Sequence, residues 1–265
     1  MAIVWIVTAT FSLPVWAQST PPAAEILPSL PFAPGEDLNF AVKYGVVRAG
    51  DARLAVEAGK TPDLYRFLST AKSSRFFDTF FPVDDRVVSD WSSSLRVPMH
   101  FEKRSREGKY KKDVSYRFDH DLGVALYSNG RREKILAGTQ DVLSAFYIMR
   151  THKLVPGTTF EIPNHADGKN YELVVKVHER ETVDVPAGRF SCVVVEPLLR
   201  TSGLFKQEGR LLIWVTDDSR HMPVLMKSKI AVGSIVAELE SFRLGRPVEP
   251  AQGTGAPAQG NAGGR

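Results

Sequence analysis

The chain has 265 residues of which 43% are hydrophobic, enough to bury a sizeable core and incompatible with wholesale disorder. Its 34 Lys plus Arg against 30 Asp plus Glu give a formal charge of +4, too mild a surplus for a nucleic-acid binder, which gathers cations on one face. A single cysteine, Cys192, excludes an internal disulfide, a CxxC redox pair and a cysteine zinc cage.

The first element is an apolar, almost uncharged stretch, Ala2 to Trp16, broken by Pro14 and ending Val15-Trp16-Ala17-Gln18. Small residues before a cut suit signal peptidase, so the stretch reads as a signal peptide, residues 1–17, cleaved after Ala17. It departs from the usual pattern in having no Lys or Arg ahead of the apolar run. The expected compartment is the periplasm, with peripheral membrane contact allowed. Residues 18–34, rich in Pro, Ser and Ala, read as a linker, and residues 247–265, made of Gly, Pro, Gln and Ala, as a disordered tail. Between them, 35–246 reads as one domain.

Inside that domain the dominant period is two. Leu38, Phe40, Val42, Tyr44 and Val46 alternate with more polar neighbours, and Ala52, Leu54, Val56 and Ala58 repeat the pattern after an expected turn at Ala49-Gly50. Such alternation marks half-buried strands. Further strands are expected from Tyr110 to Phe118, Tyr171 to Val177, Phe190 to Leu199, Leu211 to Thr216, Val224 to Ile230 and Ile235 to Leu244. Turn residues separate them at Asn129-Gly130, Asp167-Gly168, Pro186-Ala187-Gly188 and Asp217-Asp218-Ser219. One segment has helical spacing: Val142, Ala145, Phe146 and Met149 predict an amphipathic helix over about 141–150. Thr139 or Asp141 can cap its start, and Arg150 suits the negative end of its dipole. The predicted fold is mostly β: a large curved antiparallel sheet forming an open or closed barrel, with the helix covering one face.

Catalytic and metal motifs are missing. There is no phosphate loop, no Gly-x-Ser-x-Gly elbow and no His-Glu-x-x-His pair, and no metal or cofactor is expected. Asp119-His120-Asp121 reads as a solvated turn. The doublets Asp84-Asp85 and Asp217-Asp218 also sit at turns, and would serve as acid and base only by converging on one space. Cys192 lies in the apolar run Phe190-Ser-Cys-Val-Val-Val195 and reads as a buried thiol. The basic stretch Lys103 to Lys112 is diluted by Glu102, Glu107 and Asp113 and reads as a solvated strand face. The unusual feature is Arg75-Phe76-Phe77-Asp78-Thr79-Phe80-Phe81-Pro82. Its four phenylalanines either fill the core between strands or, with Trp91, form an apolar rim over a cavity for a hydrophobic ligand.

A series of short motifs carries a family resemblance: Pro34-Gly-Glu36, Ala49-Gly50, Asp141-Val-Leu-Ser144, Val185-Pro-Ala-Gly-Arg-Phe190, Leu212-Ile-Trp-Val-Thr-Asp-Asp218, Pro223-Val224, Lys229-Ile-Ala-Val-Gly-Ser234 and Ala237-Glu-Leu239. In this order, over roughly Phe32 to Gly245, they resemble the bacterial domain-of-unknown-function family 3108. The resemblance implies an exported protein without an assigned activity. The stretch Trp214 to Pro223 is also similar in pattern to a hairpin of lipoprotein-localisation carriers, open barrels that hold acyl chains.

The resulting expectation is a periplasmic protein that is not an enzyme and binds or carries a lipid or other hydrophobic small molecule through Phe76, Phe77, Phe80, Phe81 and Trp91. The alternative is a structural or interaction module of the envelope with a protein partner and a filled interior. A hydrolase of envelope glycan or lipid is the third reading.

Overall fold

The apolar alternation is realised as strands in a computed structural model, which describes residues 25–27, 29–199, 210–229 and 233–246. The expected signal peptide, its cleavage point, the linker up to residue 24 and the tail 247–265 lie outside the described residues. In chain order the elements are β1 (Asp37–Tyr44), β2 (Val47–Ala58), β3 (Leu64–Ser73), the single-turn helix α1 (Arg75–Asp78), β4 (Asp84–Ser92), β5 (Val97–Glu107), β6 (Tyr110–Asp119), β7 (Val124–Tyr127) and β8 (Arg132–Lys134). Then follow α2 (Val142–Met149), β9 (Thr159–Ala166), β10 (Lys169–Val185), β11 (Gly188–Leu199), β12 (Leu211–Thr216), β13 (Pro223–Lys229) and β14 (Ser234–Arg243).

Among the described residues, all fourteen strands join one antiparallel sheet in the order β8-β7-β6-β5-β4-β3-β2-β1-β14-β13-β12-β11-β10-β9. The chain therefore runs out along one meander, crosses by α2 to the far edge, and returns along a second meander until β14 pairs with β1. The sheet is strongly curved but not closed by a backbone ladder, since β8 and β9 are its free edges. Side chains bridge the gap instead. The Tyr116 hydroxyl of β6 donates to the His165 carbonyl of β9 at 3.1 Å, and Asn170 Nδ2 of β10 donates to the Lys134 carbonyl of β8 at 2.6 Å. Lys112 pairs with Asp167 at 2.5 Å across the same gap.

The concave face holds the main core. Leu38 and Phe40 of β1, Leu54 and Val56 of β2 and Phe67 of β3 meet Val175, Val193, Val195, Ile213 and Leu239 of the second meander. A smaller stripe on the opposite face, Ala55, Leu68 and Val88, is also buried; its cross-strand neighbours come from adjacent strands. The flanking positions of that face carry the ion pairs Arg53–Asp37 and Arg66–Asp90.

Three local expectations are corrected. The β1–β2 turn is at Gly45, where φ is +59°, not at Ala49-Gly50. Gly50 lies inside β2, where a Cβ would come within 2.2 Å of the Lys72 carbonyl oxygen, so close strand approach is what the glycine allows. The stretch read as linker is packed over its described last part: Leu27 N–H donates to the Thr151 carbonyl at 2.6 Å, and Phe32 is buried in the core. Finally, α2 is not simply amphipathic. Val142 is exposed, while Leu143, Ser144, Ala145, Tyr147, Ile148 and Met149 are all buried, because sheet surrounds the helix on β3, β4 and β9. Elsewhere the turn chemistry held. Asp167 (φ +51°) and Gly168 (φ +74°) form the two-residue β9–β10 hairpin loop that left-handed residues favour.

Candidate functional site

Two regions concentrate unusual side chains. The first is a sealed seam around α2. Asp141 N-caps the helix: its Oδ1 accepts from the Leu143 and Ser144 amides at 2.8 and 2.9 Å, and its Oδ2 accepts from the Ser89 hydroxyl of β4 at 2.6 Å. Ser144 returns the bond to the Asp141 amide, completing a capping box. Burial pushes the Asp141 carboxyl up to about 6, against the hydrogen bonds from Ser89 and the helix amides. One turn on, Tyr147 stacks on Phe67 with ring centroids 4.0 Å apart, and both meet the edge of Phe32.

At the end of α2 lies a buried ion pair. Arg150 Nη1 and Nη2 donate to the two carboxylate oxygens of Glu36 at 2.7 and 2.9 Å, with side-chain exposures of 0% and 2%. Nε and Nη2 also reach the Arg220 and Pro31 carbonyls, and the guanidinium lies 5.3 and 5.4 Å from the Phe32 and Tyr147 rings. Bidentate geometry plus these further hydrogen bonds to backbone carbonyls is what makes the buried pair tolerable. Arg150 therefore does more than face a dipole: it staples the first strand to the helix.

At the other end of the seam, His165 has one arrangement that satisfies both ring nitrogens. Nδ1–H donates to Asn170 Oδ1 at 2.7 Å, and Nε2 accepts from the Tyr127 hydroxyl at 2.8 Å. Burial holds its pKa below the ordinary histidine value, and the acceptor role of Nε2 requires the neutral ring. Nearby, Asn164 Oδ1 and Gln140 Oε1 are buried without a hydrogen-bond partner among the described residues. Their residues bridge β9 to the start of α2.

The second region is the β3–β4 turn, which carries most of the sequence-predicted residues. Ser73 N–H bonds the Val83 carbonyl at 3.0 Å, Ser74 N–H the Ala49 carbonyl at 2.8 Å, and Gly108 N–H the Pro82 carbonyl at 2.7 Å. The turn is thereby pinned to β2 and to the β5–β6 turn. On this fixed backbone Phe76, Phe80 and Phe81 are 66%, 72% and 53% exposed, with Phe77 half-buried. Phe76 meets Phe77 and Phe80 edge-on at 5.7 and 5.5 Å. Phe81 lies over Gly108 (φ +57°), where a Cβ would come within 2.9 Å of its ring.

The structure does not bring Trp91 to these rings. Trp91 is fully buried, 5.4 Å from Phe67 and 5.9 Å from Phe32, because position 91 falls on the concave face of β4 near its far end. The five residues named as one rim are thus an exposed turn of four phenylalanines and one core tryptophan. The space facing α2 holds Phe32, Phe67, Trp91 and Tyr147.

The other candidates stand apart. Asp84 pairs with Arg104 at 3.1 Å and Asp85 accepts from the Arg106 amide at 2.7 Å. At the opposite end of the sheet, Asp217 pairs with Arg180 at 2.7 Å, and Asp218 with Arg220. The doublets do not converge. His120 contacts the Pro98 carbonyl and stacks on Phe118. Burial, with Asp217, Asp218 and Glu181 nearby, pushes the Cys192 thiol up to about 12, the reverse of an activated nucleophile. Among the described residues no group of three or more His, Cys, Asp or Glu is placed to hold a metal ion, and no described helix is long and apolar enough to cross a membrane.

With this geometry in view, the comparisons fall into place. The family model described as "Protein of unknown function (DUF3108)" matches residues 39–240. No curated protein matches the chain. A solved structure of a β-barrel-like protein of domain of unknown function DUF1849 from Brucella abortus is similar, with a TM-score of 0.53 at 11% identity. The match covers 79% of this chain and 97% of that one. That likeness shows a shared fold. Two more distant chains are a "putative exported protein" with a YmcC-like fold from Bacteroides fragilis and a "putative lipoprotein" from Parabacteroides distasonis. The first has a TM-score of 0.37 at 12% identity over 83% of this chain and 100% of that one. The second has 0.36 at 10% over 81% and 98%.

Proposed function

The chain belongs to the DUF3108 family of proteins of unknown function, and from that premise we propose that it is a non-catalytic interaction module of the cell envelope. It works in the periplasm and makes contact through its β3–β4 turn. A single observation supports this reading over the carrier. The space facing α2 is filled by the chain's own helix and by Phe32, Phe67, Trp91 and Tyr147, while three phenylalanines that a folding chain would gain by burying stand in solvent on a backbone pinned to β2 and to the β5–β6 turn. Catalysis has little support, because the carboxylate doublets lie at opposite ends of the sheet, each acid held by an arginine side chain or, for Asp85, by the Arg106 amide, and the thiol is buried.

The experiment compares two signals from the chain expressed and exported in a bacterial host. A photo-crosslinking residue at position 80 is expected to capture an envelope component, whereas one at Lys60, at the opposite end of the sheet, captures little. Native mass spectrometry of the same protein is expected to show its bare mass. A stoichiometric hydrophobic small molecule released only on unfolding would overturn the module reading and restore the carrier.

A further inference from the structure

We infer that the β3–β4 and β5–β6 turns together form a docking surface for an anionic lipid bilayer; this inference rests on the reading of the β3–β4 turn as the contact surface. In an antiparallel meander the turns β1–β2, β3–β4 and β5–β6 emerge at the same end. On these three turns Val46, Phe76, Phe80, Phe81 and Tyr110 are all exposed, an apolar row on consecutive tips.

The charge around that row is lopsided. Residues 72–86 and 103–113 carry nine Lys or Arg and five Asp or Glu. Four of the five acids are engaged locally: Asp78 accepts from Ser73, Asp84 pairs with Arg104, Asp85 accepts from the Arg106 amide, and Asp113 pairs bidentately with Arg106 at 2.7 and 2.8 Å. Lys72, Arg75, Lys109 and Lys111 are exposed and have no ion-pair partner among the described residues. What the tip presents outward is therefore aromatic rings bordered by uncompensated cations. Protein–protein contacts are depleted in lysine. Rings at headgroup depth flanked by Lys and Arg are how peripheral segments sit on anionic bilayers. A rigid platform also suits this partner, since insertion then costs little ordering of the backbone.

The test is sedimentation of the full chain with vesicles of phosphatidylethanolamine, with and without about one third phosphatidylglycerol. Binding is expected only to the anionic vesicles and is lost at high salt, because exposed charges are screened within roughly 3 Å at 1 M. Phe76→Ser with Phe80→Ser is expected to weaken binding on the order of tenfold while leaving the thermal midpoint near that of the parent. Lys109→Gln with Lys111→Gln should weaken it comparably. All variants share the same N-terminal segment, so the differences report the turns. Anionic binding unchanged by both double variants overturns the inference. So does an absence of binding, and if position 80 still crosslinks to an envelope protein, the interaction module stands with a protein as its partner.

Discussion

Phe67 and Phe80 are the same side chain put to opposite use. Phe67 is fully buried, stacked on Tyr147 and edge-on to Phe32; Phe80 is largely in solvent and touches little beyond Phe76. The contrast extends to charge. In the α2 seam Arg150 is sealed against Glu36 and also bonds the Arg220 and Pro31 carbonyls, whereas Arg75, beside Phe76, has no ion-pair partner among the described residues. The seam spends aromatic and cationic chemistry on closing a sheet that has no backbone closure. At the turn Phe76, Phe80 and Arg75 instead stand in solvent, which marks it as a surface kept for something else.

The contrast is tested most severely at its strongest point. Arg150→Ala strands the Glu36 carboxylate in the core and is expected to cost about 3–5 kcal/mol. Phe67→Ala is expected to cost a similar amount, about 3–5 kcal/mol, through lost burial and the cavity left against Tyr147. Both are measurable by denaturant titration. A loss below about 1 kcal/mol at either site would mean that the seam does not hold the two meanders together.

Asp141 sharpens the account of the seam through pH. Its folded-state pKa of about 6 lies above the ordinary 3.8 because of burial. The native state therefore holds its proton more tightly than the unfolded chain, and this group favours folding progressively more as pH falls from about 6 to 4. At pH 7 the buried charge costs about 3 kcal/mol by linkage. The buried histidines His152, His165 and His221 have the opposite sign. Burial lowers each pKa, so as pH falls through the ordinary histidine range the unfolded chain gains protons and stability drops. Asp141→Asn keeps a capping oxygen of equal quality and removes the titration. The stability of this variant relative to the parent should be greatest at pH 7 and shrink by pH 4, the histidine contribution cancelling in the difference. A difference independent of pH would show that Asp141 is not buried as a charge.

How much of this was legible in the sequence depends on range. Period-two alternation and turn chemistry are local, and they located most strands, the Asp167-Gly168 hairpin loop and the helix, with Asp141 as one of two candidate caps. The family resemblance, carried by motifs such as Pro186-Ala187-Gly188 and Trp214-Val215, agreed with the family model. Long-range choices were not legible. Nothing near Glu36 announces Arg150, 114 residues away, and a helix surrounded by sheet looks amphipathic from spacing alone, which is why Val142 was expected inside. Phe32 sits among prolines and serines, whose composition outvoted its burial. The phenylalanine cluster was visible, but whether its rings face in or out is decided by how the turn is pinned to Ala49 and Gly108. Grouping Trp91 with them failed for the same reason: the face of β4 on which it lies is set by pairing with β3 and β5.

The smallest expected effect tests the other half of the comparison. Phe80→Ala removes as many atoms as Phe67→Ala, yet it leaves no cavity, because the ring is 72% exposed and the ring it meets edge-on, Phe76, is itself exposed. Surface substitutions of this kind fall within about 0.5 kcal/mol of the parent, and relief of exposed apolar area can make the sign favourable. Phe81 is a poorer choice for the same measurement, because its ring covers Gly108 and its loss would disturb the β5–β6 turn. If Phe80→Ala instead destabilises the chain by more than about 1 kcal/mol, the ring is held against something within the fold and the turn has a structural role. A near-zero change in stability, together with loss of the position-80 contact, separates a residue kept for its partner from one kept for the fold.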